Sequence, residues 1–442
     1  MADSVFYPRL IEARLAEALE DAPVVLIHGP RQCGKTTLAQ YGYAPKHLGW
    51  AERLADRGAE RVSADYAYIT FDDTVVREGA QADPVGFVAG LPERAILDEV
   101  QRVPEIFAAL KAAVDRHRLP GRFILTGSSN VLLVPTLSDS LAGRMEIVRL
   151  HPLAQVELAG VDGKEGFLDA LFGGGFEPGQ SERLGAALAT RIVSGGFPAA
   201  LARPQGRRQG NWYRNYVETL VQRDVRDLAH IRRPDALARL LSAAASQTAR
   251  LYNLSELASP LQVTRPTVAE YVALLERLFL VDPLLPWHSN RLSRLVKTPK
   301  LHIGDTGLAA ALLNLDAAAL AADRSLLGRM LETFVLQELK RQASWSDTET
   351  EFFHFRDRDG AEVDVVLERG PGALAGVEVK ASATVTRSDF RSLQKLADAL
   401  GERFVAGVVL YDGENVVSFG ERFKAVPIRR LWAPGLPHGD GP

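Results

Sequence analysis

The stretch Gly29-Pro30-Arg31-Gln32-Cys33-Gly34-Lys35-Thr36 fills every fixed position of the phosphate-loop pattern GxxxxGK[ST] and follows an apolar run, Val24 to Ile27. Residues of these types at this spacing bind the phosphates of a nucleoside triphosphate. The glycines let consecutive backbone N–H groups curl around phosphate oxygens, and the helix opening near Lys35 turns its positive dipole end on the same anion. Thr37 closes the candidate nucleotide-binding set that begins at Gly29. Lys35 is expected to reach the β and γ phosphates, with the Thr36 hydroxyl as a ligand of Mg²⁺.

A second candidate site is Ala95-Ile96-Leu97-Asp98-Glu99, an apolar run that reads as a buried parallel strand ending in two carboxylates, the form of a Walker B motif. Asp98 is expected in the Mg²⁺ shell, and Glu99 is placed to polarise the water that attacks the γ-phosphate. The plain alternative, a strand ending in a charged turn, loses weight behind a complete phosphate loop. On the strand from Arg122 to Asn130, the polar residues Thr126, Ser128 and Asn130 are candidate sensors of the γ-phosphate, unless the turn only caps the next helix. Arg144, in Leu141-Ala142-Gly143-Arg144, is the candidate arginine finger, with Arg149 as fallback.

The C-terminal part carries a separate constellation. Glu332 lies on a helix that opens at Gly328, and the strand signals Glu362–Leu367 and Gly376–Lys380 follow it. Asp364 on one strand and Glu378-x-Lys380 on the next resemble the core of PD-(D/E)XK nucleases. In that chemistry Asp364 and Glu378 share a divalent metal, Lys380 orients water and Glu332 completes the site. Strand alternation puts Glu378 and Lys380 on one face, as this requires. A charged amphipathic hairpin is the bland alternative. Fold and activity are separate expectations, because such scaffolds persist without cleavage.

Four strand signals (Val24–Ile27, Tyr66–Phe71, Ala95–Glu99 and Arg122–Asn130) interleave with helical segments and predict a P-loop parallel sheet that holds the first of these sites. The arginine-rich segment Arg207–Arg250 reads as helical, either a lid or a solvated face. Leu254–Ala258 and Val263–Leu275, with Ser255 and Thr264 as N-caps and Pro266 in a first turn, predict a helix-turn-helix. The extended segments after it suggest a winged form, in which Arg265 and Thr267 face DNA and Lys297 and Lys300 lie near the wing. The expected organisation is a P-loop ATPase core at 1–160, a helical lid at 161–235, a winged-helix-like connector at 236–310 and a nuclease-like domain at 325–430.

Together GPRQCGKTT, ILDEVQRVPEIF, FILTGSSN, LAGR, HPLAQVE and GGFP resemble a family of prokaryotic AAA+ ATPases with a C-terminal nuclease-like domain, over nearly the whole length. The resemblance implies an α/β fold, ATP with Mg²⁺ as cofactors, and a homo-oligomer such as a hexameric ring. Adenine is inferred from it, consistent with the lack of an NKxD-like tetrapeptide.

Composition sets outer bounds. The chain has 442 residues, 46% hydrophobic and 24% charged, as expected of a globular protein of several compact units. A net charge of −3 neither requires nor excludes nucleic acid. Cys33 is the only cysteine, so no disulfide can form within the chain, and with no secretion signal or long apolar run a cytoplasmic location and no membrane partner are expected. The reading is an ATP-hydrolysing protein acting on DNA by remodelling, translocation or cleavage, with a second divalent metal in the C-terminal domain. Its competitor is a nucleotide-controlled switch that binds a partner protein through a non-catalytic nuclease-like domain.

Overall fold

The computed structural model describes residues 6–40, 66–128, 141–161, 166–173, 175–224, 233–289, 298–370 and 372–433. The chain divides into two compact units, one of Arg9–Pro152 with Arg277–Phe279, the other containing Leu153–Glu276 and Leu280–Pro442. Apart from Arg277–Phe279, the segments expected as lid, connector and C-terminal domain share one unit.

In the smaller unit, β1 (Val24–His28), β2 (Ala67–Thr70), β3 (Ala95–Asp98), β4 (Phe123–Gly127) and β5 (Met145–Arg149) form a parallel sheet in the order β2-β3-β4-β1-β5. Strands β1, β3 and β4 are buried along their whole length, which is why they read as unbroken apolar runs. Helices α1 (Glu12–Asp21), α2 (Lys35–Gln40), α3 (Thr74–Ala82), α4 (Pro84–Ala89) and α5 (Ile106–Arg116) accompany the sheet. One core joins Leu26, Leu97, Phe107, Leu110, Phe123 and Leu125. The paired acids after β2 are structural: Asp73 caps α3 by accepting from Val75 N at 2.8 Å, and Asp72 pairs with Arg102 at 2.8 Å. Because β4 lies between β1 and β3, the C-terminal ends of these three strands bring the phosphate loop, Thr126 and Ser128, and Asp98 and Glu99 to one end of the sheet.

The larger unit holds two sheets. In the first, β6 (Arg250–Leu251), β7 (Val281–Leu284) and β8 (Lys300–Ile303) pair antiparallel in the order β6-β8-β7. Helix Pro234–Ser246 precedes β6, and helices Leu254–Leu261 and Arg265–Arg277 lie between β6 and β7. Asn253, rather than Ser255, caps the first of these two, accepting from Ser255 N at 2.9 Å, while Thr264 accepts from Thr267 N at 3.4 Å. In the second sheet, β9 (Thr350–Arg356), β10 (Glu362–Arg369), β11 (Ala373–Lys380), β12 (Phe404–Tyr411), β13 (Val417–Ser418) and β14 (Phe423–Pro427) run in the order β13-β14-β12-β11-β10-β9. β10 is antiparallel to β9 and β11, and β11, β12 and β14 are parallel. The β9 register shifts between Val363 and Val366, a bulge that contains Asp364. The long helix Arg324–Trp345 contributes Leu331, Phe334, Val335 and Leu339, the apolar face expected from the sequence, to the interior.

A buried polar network ties the larger unit together. Arg341 pairs with Asp305 at 3.2 Å and Glu338 at 2.6 Å and donates to Leu153 O at 2.9 Å. Glu338 also accepts from Gln155 N at 2.8 Å, and Asp305 from Gly196 N at 2.8 Å. Two of the sequence signatures, at Gln155 and at Gly195-Gly196, thus serve packing. A Cβ at Gly195 would stand 2.1 Å from Asp305 Oδ1, so only glycine lets the network close there.

Candidate functional site

The phosphate loop leaves β1 at His28 and enters α2 at Lys35. A Cβ on Gly29 would lie 2.0 Å from Leu150 O, and Gly34 has φ +104°, so both positions demand glycine. Arg9 braces the loop by donating to Cys33 O at 3.0 Å and to His151 O at 2.7 Å. Cys33 is fully buried, and burial pushes its thiol above the usual range, which marks a packing residue and not a reactive one. Lys35 donates to Gly29 O at 3.0 Å and Pro30 O at 2.8 Å, so its ammonium rests on the loop's own carbonyls. Burial, then the charges of Arg149 and Lys35, hold His28 down at about 3, a neutral imidazole beneath the loop.

Asp98 is surrounded by hydroxyls. Its Oδ1 accepts from Thr36 at 2.9 Å and from Thr126, and its Oδ2 accepts from Tyr68 at 2.9 Å and Thr70 at 3.4 Å. Neutral donors orient the carboxylate without cancelling its charge, so Thr36 and Asp98 fit a Mg²⁺ held between them and a nucleotide. Glu99 has φ 59° and ψ 46°, a left-handed conformation that costs a side-chain-bearing residue about 1 kcal/mol and turns the chain sharply after β3. Its N–H donates to Thr126 Oγ1 at 3.2 Å, and its Oε2 accepts from Ser128 at 2.9 Å and from Gln101. Of the three expected sensors, Thr126 and Ser128 reach the two acids, while Asn130 lies outside the described residues. Tyr68, Thr70 and Gln101 escaped the sequence reading. Their only signal was a hydroxyl on a strand face and an amide two residues after Glu99.

Arg144 does not reach this end within its own chain. It precedes β5, its carbonyl accepts from Val24 N at 3.3 Å, and its guanidinium is held by Asp115 at 2.5 Å. Five parallel residues of β1, about 15 Å at strand rise, separate it from the loop. Arg149 pairs in register with His28 and is exposed beside the loop, so the fallback residue is the arginine at the nucleotide end.

The C-terminal carboxylates meet a different partner. Lys300 on β8 places Nζ 2.7 Å from Glu332 Oε1, 2.6 Å from Glu362 Oε1 and 3.4 Å from Asp364 Oδ1. It is 1% exposed, which corrects the expectation that it serves as a DNA contact on a wing. Burial alone would lower its pKa, but the charges of Glu332, Asp364 and Glu362 raise it above the ordinary lysine value. Burial and then Asp364 raise Glu332 well above the carboxylate range. Asp364 Oδ2 accepts from Val379 N at 2.9 Å. Glu378 pairs with Lys380 at 3.1 Å and is pushed up to about 8, by burial and then by Asp364. Glu332, Asp364, Glu378 and Lys380 are therefore brought to one region, together with Glu362 and Lys300, to which the sequence reading gave no such role. Glu362 stands two residues before Asp364 on one strand, the alternation that shares a face. A divalent ion at Asp364 does not fit this arrangement, because the Lys300 ammonium already stands as the cation among Glu332, Glu362 and Asp364. Among the described residues no three His, Cys, Asp or Glu side chains are arranged to hold a metal.

Of the expected DNA contacts, Arg265 is exposed at the start of its helix. Thr267 is half-buried with its hydroxyl 2.8 Å from that of Thr264, and Lys297 lies outside the described residues. No helix among the described residues is long and apolar enough to cross a membrane.

The parallel sheet, the phosphate loop and the paired acids define an AAA-type P-loop ATPase: residues 21–159 match the family described as AAA domain. Residues 185–319 and 327–431 match two domains of unknown function, DUF8612 and DUF4143. The chain belongs to the family of the uncharacterized proteins Rv2008c of Mycobacterium tuberculosis and Mb2031c of Mycobacterium bovis. It is 31% identical to each over 427 residues, covering 96% of this chain and 84% of theirs. Similar solved structures include the Walker-type ATPase PABY2304 of Pyrococcus abyssi, with 17% identity, 71% of this chain and 97% of that one covered and a TM-score of 0.38. AMPPCP-bound DnaA from Aquifex aeolicus has 16% identity, 60% and 86% coverage and a TM-score of 0.24.

Proposed function

We propose that the protein hydrolyses ATP and uses the nucleotide cycle to control its attachment to a partner protein, with a C-terminal domain that binds and does not cut. The observation that carries the hydrolysis is the pairing of Glu99 with Ser128 and Gln101, beside an Asp98 held by Thr36. Thr36 and Asp98 would hold a Mg²⁺, which would supply positive charge to the nucleotide's phosphates. Lys35 leaves the Gly29 and Pro30 carbonyls for the phosphates, and Glu99 orients the attacking water and receives its proton. Ser128 is the best-placed sensor, because it touches the Glu99 carboxylate directly. Arg144 acts only across a subunit boundary in a homo-oligomer, a hexameric ring being one such assembly, whereas Arg149 serves its own nucleotide.

The antiparallel β9-β10-β11 set, the parallel β11-β12-β14 set and Asp364, Glu378 and Lys380 on adjacent strands support a PD-(D/E)XK-like fold for the C-terminal domain. Lys300 among the carboxylates supports the non-cutting reading. A second reading, a nucleic-acid motor, is favoured by the helix, strand, helix, helix, strand, strand order from Pro234 to Ile303, which supports a winged helix with Arg265 exposed where such folds meet DNA. ATP turnover without DNA and with single-stranded, double-stranded and branched DNA tests both, with Glu99→Gln as the control that binds without turning over. Slow turnover indifferent to DNA is expected. Strong stimulation by one DNA form, absent in Glu99→Gln, would transfer the conclusion to the motor. No turnover in any condition would sink the hydrolysis itself.

A further inference from the structure

Lys300 is an unusual tenant of the acidic cluster. Its three carboxylate partners come from two elements distant in sequence, Glu332 from the long helix and Glu362 and Asp364 from β10, while the lysine enters from β8 of the other sheet. Lys300 is 1% exposed, so its ammonium cannot exchange these partners for water, and β8 fixes its backbone through antiparallel pairs with both neighbours. The distances of 2.6, 2.7 and 3.4 Å surround one point with carboxylate oxygens from three side chains. A hard divalent cation asks for the same ligands at about 2.0–2.6 Å.

We infer that Lys300 is the built-in cation of this pocket, its ammonium filling the place a divalent ion would need among Glu332, Glu362 and Asp364, so that the pocket is a latent metal site that opens only when the ammonium is removed. This rests on the reading of the C-terminal domain as nuclease-like. The ammonium supplies the positive charge that lets Glu332, Glu362 and Asp364 stay close, and it adds three directed N–H donors in place of metal bonds. Without it, the same carboxylates need close in by only about 1 Å to ligate a divalent ion. The chemistry of the pocket then changes from structural to cation-binding without any change in the acidic residues.

Mn²⁺ binding to the full-length, metal-stripped protein, followed by electron paramagnetic resonance without nucleotide, tests this. All proteins carry Asp98→Asn, so that the phosphate-loop region contributes no site. The Lys300-containing protein is expected to take up no Mn²⁺ in this pocket. Lys300→Met is expected to gain one site per chain, at least about tenfold tighter than any residual binding, and adding Asp364→Asn is expected to remove it. Mn²⁺ uptake by the Lys300 protein that Asp364→Asn abolishes would overturn the inference, as would a folded Lys300→Met that gains no site. Should Lys300→Met fail to fold alone, refolding with Mn²⁺ decides: recovery of the native melting transition supports the latent site, and no recovery overturns it. DNA cleavage by the parent that Asp364→Asn abolishes would sink the non-cutting reading, and the Mn²⁺ titrations then decide this inference on their own.

Discussion

The two acidic centres of this molecule use the same residue types to opposite ends. At the end of β3, Asp98 is held by the hydroxyls of Thr36, Thr126, Tyr68 and Thr70, and the nearby Lys35 rests on backbone carbonyls. On β10, Asp364 is held by an ammonium and a backbone N–H. Neutral donors fix a carboxylate's direction and leave its charge free to attract a cation. A buried ammonium fixes direction by consuming the charge. The first centre is poised for a ligand that arrives and leaves, whereas the second is complete as it stands.

The sharpest way to break the contrast is at the first centre. Glu99→Gln is expected to lower ATP turnover by about 10²–10⁴-fold while binding of a fluorescent ATP analogue persists; loss of binding would mean that Glu99 shapes the loop and not the chemistry. At the second centre, Lys300→Ala removes one partner of a buried ionic cluster and is expected to cost about 3–5 kcal/mol in denaturant unfolding. The matching change Asp98→Asn keeps a hydrogen-bonding group of the same size among hydroxyls and is expected to cost less, about 1–3 kcal/mol, and equal costs would erase the difference between the centres.

Acidity sharpens it further. Glu378 is raised from 4.5 to about 8, first by burial and then by Asp364. The folded state therefore binds more protons than the unfolded state between these values, and Glu378's contribution makes stability fall as pH rises from 4.5 towards 8. Glu378→Gln is expected to flatten that decline, gaining on the order of 4 kcal/mol at pH 8 and nothing at pH 4; unchanged pH profiles would dismiss the shift. The smallest expected effect belongs to Ser128→Ala, a loss of about tenfold in turnover from one hydrogen bond to a charged group. An unchanged rate would leave Thr126 as the sensor.

Much of the first centre was legible because its residues are contiguous: the loop, Asp98-Glu99 and the Thr126 strand are each a local pattern closing a buried apolar run. The edge strand β5 was not, since Met145-Glu146-Ile147-Val148-Arg149 alternates with charges and has one buried residue. Neither was the role of Lys300. Beside Lys297 and Pro299 it reads as a surface wing, and its burial is decided by Glu332 and Asp364, 32 and 64 residues further on. Pattern reading reports what neighbours in sequence do together, and Lys300 answers to neighbours in space. The place of Arg144 was illegible for a related reason: its motif gives a guanidinium, but the parallel register of β1 and β5 decides which end of the sheet it occupies.

The brace on the phosphate loop has a consequence for the order of events during synthesis. Arg9 closes on two carbonyls, one 24 and the other 142 residues away. Contacts of long sequence separation form late, because the intervening chain must first surrender its freedom. A ribosome-bound chain that has delivered Gly29–Thr36 but not His151 has only half of the clamp, so tight nucleotide binding is expected to emerge with completion of the smaller unit and to report on its folding.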